Sequence, residues 1–274
     1  MRSHLFESCL LELVERDAWL DLFAAAPEGC VQKFGIGSQR LGNMGLLACR
    51  EIPIVEFNRA MSVGIVAPTT ETELDQTLAW LKARAAPGWA LQVSPPARTK
   101  TMEEWLRSRA FSVSGTGWTK FKRGTSPVAH VPTPGIQVRS VNTGSAEAFG
   151  HVVQAGFGLP VGSAKWFAGL VGRPGWHLYL AYEGKTPIAC GAAFVGRGVA
   201  WHGIDATLGE FRRRGAQTAL IGRRIEDGCT AEFIAFTAET GQPPAGQEAA
   251  YPSYRNYSRA GFTPAYVRGN YKPA

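Results

Sequence analysis

No apolar run in this 274-residue chain approaches the roughly 20 residues that a membrane-spanning helix needs. The first stretch, MRSHLFESCLLELVERDAW, carries Glu7, Glu12 and Glu15 among its apolar residues, which argues against a signal peptide and leaves a cytoplasmic protein as the expectation. The five cysteines (Cys9, Cys30, Cys49, Cys190, Cys229) are odd in number, dispersed and never spaced C-x-x-C. Neither a disulfide framework nor a metal site is expected from them. A net charge of +7 raises the question of nucleic acid. The basic residues are scattered, however, except for Arg212, Arg213 and Arg214 with Arg223 and Arg224. A ligand carrying several phosphates accounts for that cluster as well as RNA does, so no nucleic-acid partner is required.

What is present is an alternation of helical and strand-like patterns. Residues 1 to about 25 read as a helix with Leu10, Leu13, Val14, Trp19 and Leu22 on one face, ended by Pro27-Glu28-Gly29. Short strands follow between Cys30 and Val66 (VQKFGIG, GLLACREIPIVEF, AMSVGIV). Thr70 and Glu73 have capping-box spacing at the start of a helix containing Leu74, Leu78 and Leu81. A strand (WALQVSP), a helix (Thr101 to Arg109) and a strand (Phe111 to Phe121) close the first half.

The string WLRSRAF followed by GTGWTKFKR parallels YSRAGF followed by YVRGNYK near the end, so the chain reads as one unit used twice. Residues 125–135, rich in proline, form a linker between domains at 1–124 and 136–274. The second unit reads as a strand (Ile136 to Val141), two helices (Ser145 to Phe157, Ser163 to Val171) and three strands (WHLYLAY, PIACGAAFV, VAWHGIDATL). Glu183-Gly184-Lys185 and Gly196-Arg197-Gly198 serve as hairpin turns between the strands. A helix from Ala216, a strand (Glu232 to Ala238), a helix (Ala249 to Ala260) and a strand (Phe262 to Val267) complete it. The expected class is α/β (α+β), two tandem domains, each with a mixed, mostly antiparallel sheet flanked by helices.

Between the third of those strands and the next helix lies Arg212-Arg213-Arg214-Gly215-Ala216-Gln217. A helix N-terminus with unpaired N–H groups, the positive end of the helix dipole and three arginines suits a pyrophosphate. The string resembles the acyl-CoA-binding motif Q/R-x-x-G-x-G/A of the GNAT superfamily of N-acetyltransferases, with Gln217 departing from it at the last letter. Gln39-Arg40-Leu41-Gly42-Asn43-Met44 has the motif's opening letters but precedes a strand pattern, which offers no helix N-terminus. The first half has no basic glycine turn after its corresponding strand (VGIVAPTTETELD), so it reads as a degenerate, structural copy.

The resemblance implies an acetyl-CoA-dependent N-acetyltransferase acting on the amine of a small molecule by direct attack. Acetyl-CoA, as cosubstrate, would then be held by Ala206, Thr207, Leu208, Arg212, Arg213, Arg214, Gly215, Ala216, Gln217, Thr218 and Asn256. Tyr257, four residues before Gly261-Phe262, stands where the family often has the acid that protonates the departing thiolate; its other reading is packing beneath the cofactor. On the strand before the motif, Trp201, Gly203 and Asp205 share one parity and His202 the other, unless a bulge reverses them. Trp201 is thus an acceptor-side wall or a core residue, and Asp205 a base or a strand-end hydrogen bonder. Glu239 is a second acceptor-side candidate, and His202 reads as core. No cysteine lies at a plausible attack point, against a covalent enzyme intermediate. Two alternatives stand: an acyltransferase with a protein, peptide or aminoacyl acceptor, and a non-catalytic module that senses acyl-CoA. Whether two chains pair as a homodimer is left open.

Overall fold

The computed structural model describes residues 2–127, 133–231 and 233–273. They form two compact units, one of Met1–Ala24, Glu28–Lys120 and Pro264–Ala274, the other of Ala25–Pro27 and Phe121–Thr263.

In the first unit, α1 (Arg2–Ala24) and α2 (Glu28–Phe34) precede the antiparallel hairpin of β1 (Ile36–Leu41) and β2 (Met44–Cys49). The expected strand at VQKFGIG is therefore mostly helix, since Cys30 and Phe34, four apart, bury one helical face. β3 (Arg59–Met61) pairs antiparallel with β2 and parallel with β4 (Ala90–Val93), with α3 (Glu71–Arg84) crossing between them. Thr70 caps α3 with both halves of the expected capping box present. After β4 come α4 (Lys100–Ser108) and β5 (Phe111–Val113). Where one strand was expected over 111–121 there are two, because Gly115 and Gly117 both take positive φ before β6 (Trp118–Arg123). Leu46, Leu74, Leu81, Trp89, Leu91 and Trp105 fill the core of this unit.

The last strand corrects the expected boundary. β12 (Thr263–Pro273) pairs antiparallel with β4 (Gly269↔Val93, Tyr271↔Leu91) and with β5, and from Pro264 onward it belongs to the first unit rather than to a 136–274 domain. Side chains explain the placement. Tyr271 enters the first unit's core. Arg268, fully buried, pairs with Glu12 at 3.1 Å and Glu15 at 3.0 Å on α1. Glu15 also holds Lys120 and, at 3.5 Å, Arg59, so a buried network of opposite charges ties α1, β3, β6 and β12 together.

In the second unit, β7 (Ile136–Ser140), α5 (Ala146–Phe157) and α6 (Ala164–Ala168) lead to an antiparallel run of β8 (Trp176–Glu183), β9 (Thr186–Gly196) and β10 (Val199–Thr207). The glycine turns fall where expected, with Gly184, Arg197 and Gly198 at positive φ. α7 (Ala216–Thr230) then crosses to β11 (Ala235–Gly241), which pairs parallel with β10, and α8 (Pro252–Arg259) follows. α7 lays Ala216 and Leu220 on Tyr179, Ala181 and Ile188, and Ile221 and Ile225 on Ala200, Phe236 and Ala238. The fold repeats in one further detail. A non-glycine residue at φ 56° stands on the way to each crossover helix, Ser62 just after β3 and Ile204 within β10.

Candidate functional site

β10 and β11 pair in parallel from Val199↔Ala235 only as far as His202↔Ala238, although β10 continues to Thr207 and β11 to Gly241. The separation follows from the bulge at Ile204, which also shifts the register with β9 between Gly203 and Ala206. Past it, the Leu208 N–H is donated to Ile188 on β9 at 3.0 Å, so of the backbone groups expected to meet a ligand this one is already used. By strand alternation the Thr207 amide faces the β11 side of the gap.

The chain leaves β10 through Arg212-Arg213-Arg214 into α7, whose N-cap, Gly215, sits at φ 88° with no side-chain cap. Among the described residues no side chain caps the first N–H groups of α7, the groups that a helix start offers to an anion. Two of the three arginines are already engaged. Arg212 donates to the Thr207 carbonyl at 3.3 Å and the Gly156 carbonyl at 3.4 Å. Arg214 pairs with Glu183 at 3.2 Å and lies over the Phe211 ring. Arg213, exposed and left-handed at φ 66°, has no polar partner among the described residues. Ala216 is buried beneath the helix start and Thr218 is exposed. Gly215 is a glycine for two reasons, its left-handed φ and the Thr133 methyl 2.8 Å from where a Cβ would stand. Thr133 belongs to the expected linker, of which 128–132 lie outside the described residues; Thr125, at its other end, accepts from the Cys229 thiol on α7.

The bulge decides which side chains meet. It turns Asp205 away from Trp201 and toward α7 and α8, against the uninterrupted parity. One Asp205 oxygen takes the Arg224 guanidinium at 2.5 Å, the other the Tyr257 hydroxyl in a short hydrogen bond. Arg224 is fully buried and also donates to the Ala192 carbonyl at 2.7 Å. Burial pushes the Asp205 carboxyl up, while Arg224 and the Tyr257 hydroxyl draw it back. A guanidinium keeps its proton at any ordinary pH, so Arg224 brings a fixed positive charge to Asp205. Burial, then the Asp205 charge, holds the Tyr257 hydroxyl well above the usual phenol range. Asp205 is thus not poised as a free base, and the two candidates for catalysis form one buried cluster with an arginine that sequence reading placed only among the basic residues. An arginine on the buried face of α7, four residues past Leu220, was the signal that could have found it.

Trp201 is fully buried, edge-on to Trp176, its ring occupying the space beside Gly203 where a Cβ would lie 2.1 Å away. His202, on the opposite face, sits among Phe236, Phe262 and Tyr257 with no hydrogen-bond partner for either ring nitrogen among the described residues. Burial lowers its pKa well below the ordinary value, which keeps the ring neutral, as a core residue. Glu239 is half-buried on β11, one residue past the end of the parallel pairing. The Cys190 thiol, which donates to the Ile204 carbonyl, is pushed far up by burial and is no nucleophile. On the α8 side, Gln217 and Asn256 are joined directly, Asn256 Nδ2 donating to Gln217 Oε1 at 2.8 Å.

The corresponding place in the first unit is closed. Val63 and Ile65 are buried and Gly64 lies against Ala97, so the chain leaving β3 packs on the turn after β4. The N-terminus of α3 is capped by Thr70 and carries Glu71 and Glu73 in its first turn, which repel an anion. A surface groove in this unit, of about 380 Å³ and lined by Gln32, Arg50, Glu51 and Arg84, lies on other residues than these.

No protein-family model and no curated protein matches the chain. Solved structures do. A GCN5-related N-acetyltransferase from Kribbella flavida is similar over 89% of this chain and 92% of its own, at 15% identity and a TM-score of 0.58. A tandem GNAT protein from the clavulanic acid biosynthesis pathway matches over 95% and 94%, at 16% identity and a TM-score of 0.58. A GCN5-related N-acetyltransferase from Sphaerobacter thermophilus matches over 78% and 70%, at 14% identity and a TM-score of 0.56. Identity at this level establishes a shared fold.

Proposed function

For a chain with the tandem GNAT fold, we propose an acetyl-CoA-dependent N-acetyltransferase with one working site, in the second unit, that acylates the amine of a small molecule. The observation that carries this is the uncapped, basic N-terminus of α7 placed beside the gap where β10 and β11 part. Acetyl-CoA supplies an activated acyl group there. The α7 N–H groups and Arg213 receive its phosphates, and the Thr207 amide lies on the side of β10 that faces the gap. An attacking neutral amine forms the N–C bond as the C–S bond breaks; the Tyr257 hydroxyl turns from Asp205 to give its proton to the leaving sulfur, and water or Glu239 takes the one released from nitrogen. Asp205 and Arg224 act through Tyr257, fixing its ring and hydroxyl, so we assign them as positioning residues.

The test is a rise in melting temperature with acetyl-CoA, followed by thiol release with a library of amines. No stabilisation at millimolar acetyl-CoA would overturn the reading. Stabilisation without thiol release on any small amine would leave a macromolecular acceptor or an acyl-CoA sensor.

A further inference from the structure

Gln217 stands where the acyl-CoA motif has glycine or alanine, and both ends of its amide are bonded to α8. One N–H of Nε2 donates to Ser253 Oγ at 3.1 Å, and Oε1 accepts from Asn256 Nδ2 at 2.8 Å, which leaves one N–H and one lone pair of the amide over. Ser253 and Asn256 are three apart on α8 and so share one face of it. Gln217 is the second residue of α7. Its side chain thus spans from the first turn of the helix that follows β10 to the helix that follows β11. A ligand with its phosphates on the α7 N-terminus and its reactive end in the gap between β10 and β11 has to pass this span. Asn256 can hydrogen-bond such a ligand only by releasing Gln217 or by sharing its amide with it.

We propose that Gln217 is a clasp across the entrance to the acyl-CoA channel, held shut by Ser253 and Asn256 and opened by the ligand. The inference rests on the acyl-CoA reading above. Glycine or alanine leaves the channel open; glutamine closes it with two hydrogen bonds that the incoming acyl-CoA must break. Affinity is lowered accordingly, because the open state is the minor one without ligand. The same bonds hold α8 against α7 next to Tyr257, so the clasp also steadies the unliganded site.

The experiment is titration of the full chain with CoA and acetyl-CoA by calorimetry, alongside the melting temperature without ligand, for the native protein and for Gln217→Ala and Ser253→Ala. A clasp makes two opposite changes: each variant melts lower than the native protein when unliganded, yet binds CoA at least fivefold tighter. Ser253→Ala breaks one bond from the α8 side and leaves residue 217 untouched, so it separates the clasp from a steric effect of the side chain. Unchanged or weaker binding in Gln217→Ala overturns the proposal while leaving the acyl-CoA site in place, since it makes Gln217 a structural residue or a direct ligand contact. No binding by any of the three overturns the acyl-CoA reading, and the clasp with it.

Discussion

Replacing Asp205 by alanine should be among the most damaging single changes in the second unit. It strips the counter-ion from Arg224, whose side chain has no exposed surface, and leaves the buried Tyr257 hydroxyl without its acceptor. Removing one partner of a buried pair costs about 3 to 5 kcal/mol, because the remaining charge cannot regain water. The Asp205 side chain is 11% exposed, which places the cost toward the lower end, since water can reach the vacated space. At roughly 2 to 4 °C per kcal/mol for a chain of this size class, the melting transition that contains β10 should fall by about 6 to 15 °C. Removing both charges, as in Asp205→Leu with Arg224→Met, should recover more than half of that loss, as the stranded cation is gone. Calorimetry on Asp205→Ala, and on Asp205→Leu and Arg224→Met singly and together, reads the loss and the cycle. A fall of under about 2 °C for Asp205→Ala, or a double variant as unstable as the sum of the singles, would refute the assignment of Asp205 as counter-ion to a buried arginine.

His202 gives a pH signature. Its folded pKa lies well below the ordinary value, so the unfolded chain binds more protons as pH falls. The stability it contributes is complete above about pH 6.5 and declines below it by up to roughly 1.4 kcal/mol per pH unit. His202→Leu should flatten the stability profile between pH 6.5 and 5 in urea titrations relative to the native protein. In the first unit, Glu15→Gln should cost about 3 to 5 kcal/mol by chemical denaturation, since Lys120, Arg268 and Arg59 all converge on that carboxylate. It should leave acetyl-CoA affinity at the native value below the melting temperature. Gly215→Val should lose CoA binding and also about 1 to 2 kcal/mol of stability, because a branched side chain is strained at φ 88° and meets Thr133; native stability in this variant would show that the α7 turn is not held as described.

The motif turn, the helix after it, the hairpin glycines and the Thr70 capping box were legible because each depends on local chemistry. Uncapped N–H groups, left-handed glycines and reciprocal side-chain caps need only a few neighbouring residues to be specified. The expected domain boundary was misplaced because β12 resembles its repeat partner in sequence but is claimed by distant partners. Arg268 finds Glu12 and Glu15 more than 250 positions away. Pairing over that separation leaves no local mark. The reading of VQKFGIG as a strand failed for a related reason: a stretch this short follows whichever core accepts its apolar face, and here Cys30 and Phe34 bury together as helix.

The site divides in the same way. By itself the sequence determined that one turn, Arg212 to Gln217, opens a helix with basic charge, that the first half has no equivalent, and that Tyr257 stands four residues before Gly261-Phe262. Only the tertiary structure decided which of these groups meet. A single left-handed residue, Ile204, reverses the strand's parity and sends Asp205 to Arg224 and Tyr257 instead of to the face of Trp201. Two helices brought alongside each other give Gln217 partners on α8. A parity rule describes an uninterrupted strand, and a bulge that adds one residue inverts every side chain beyond it.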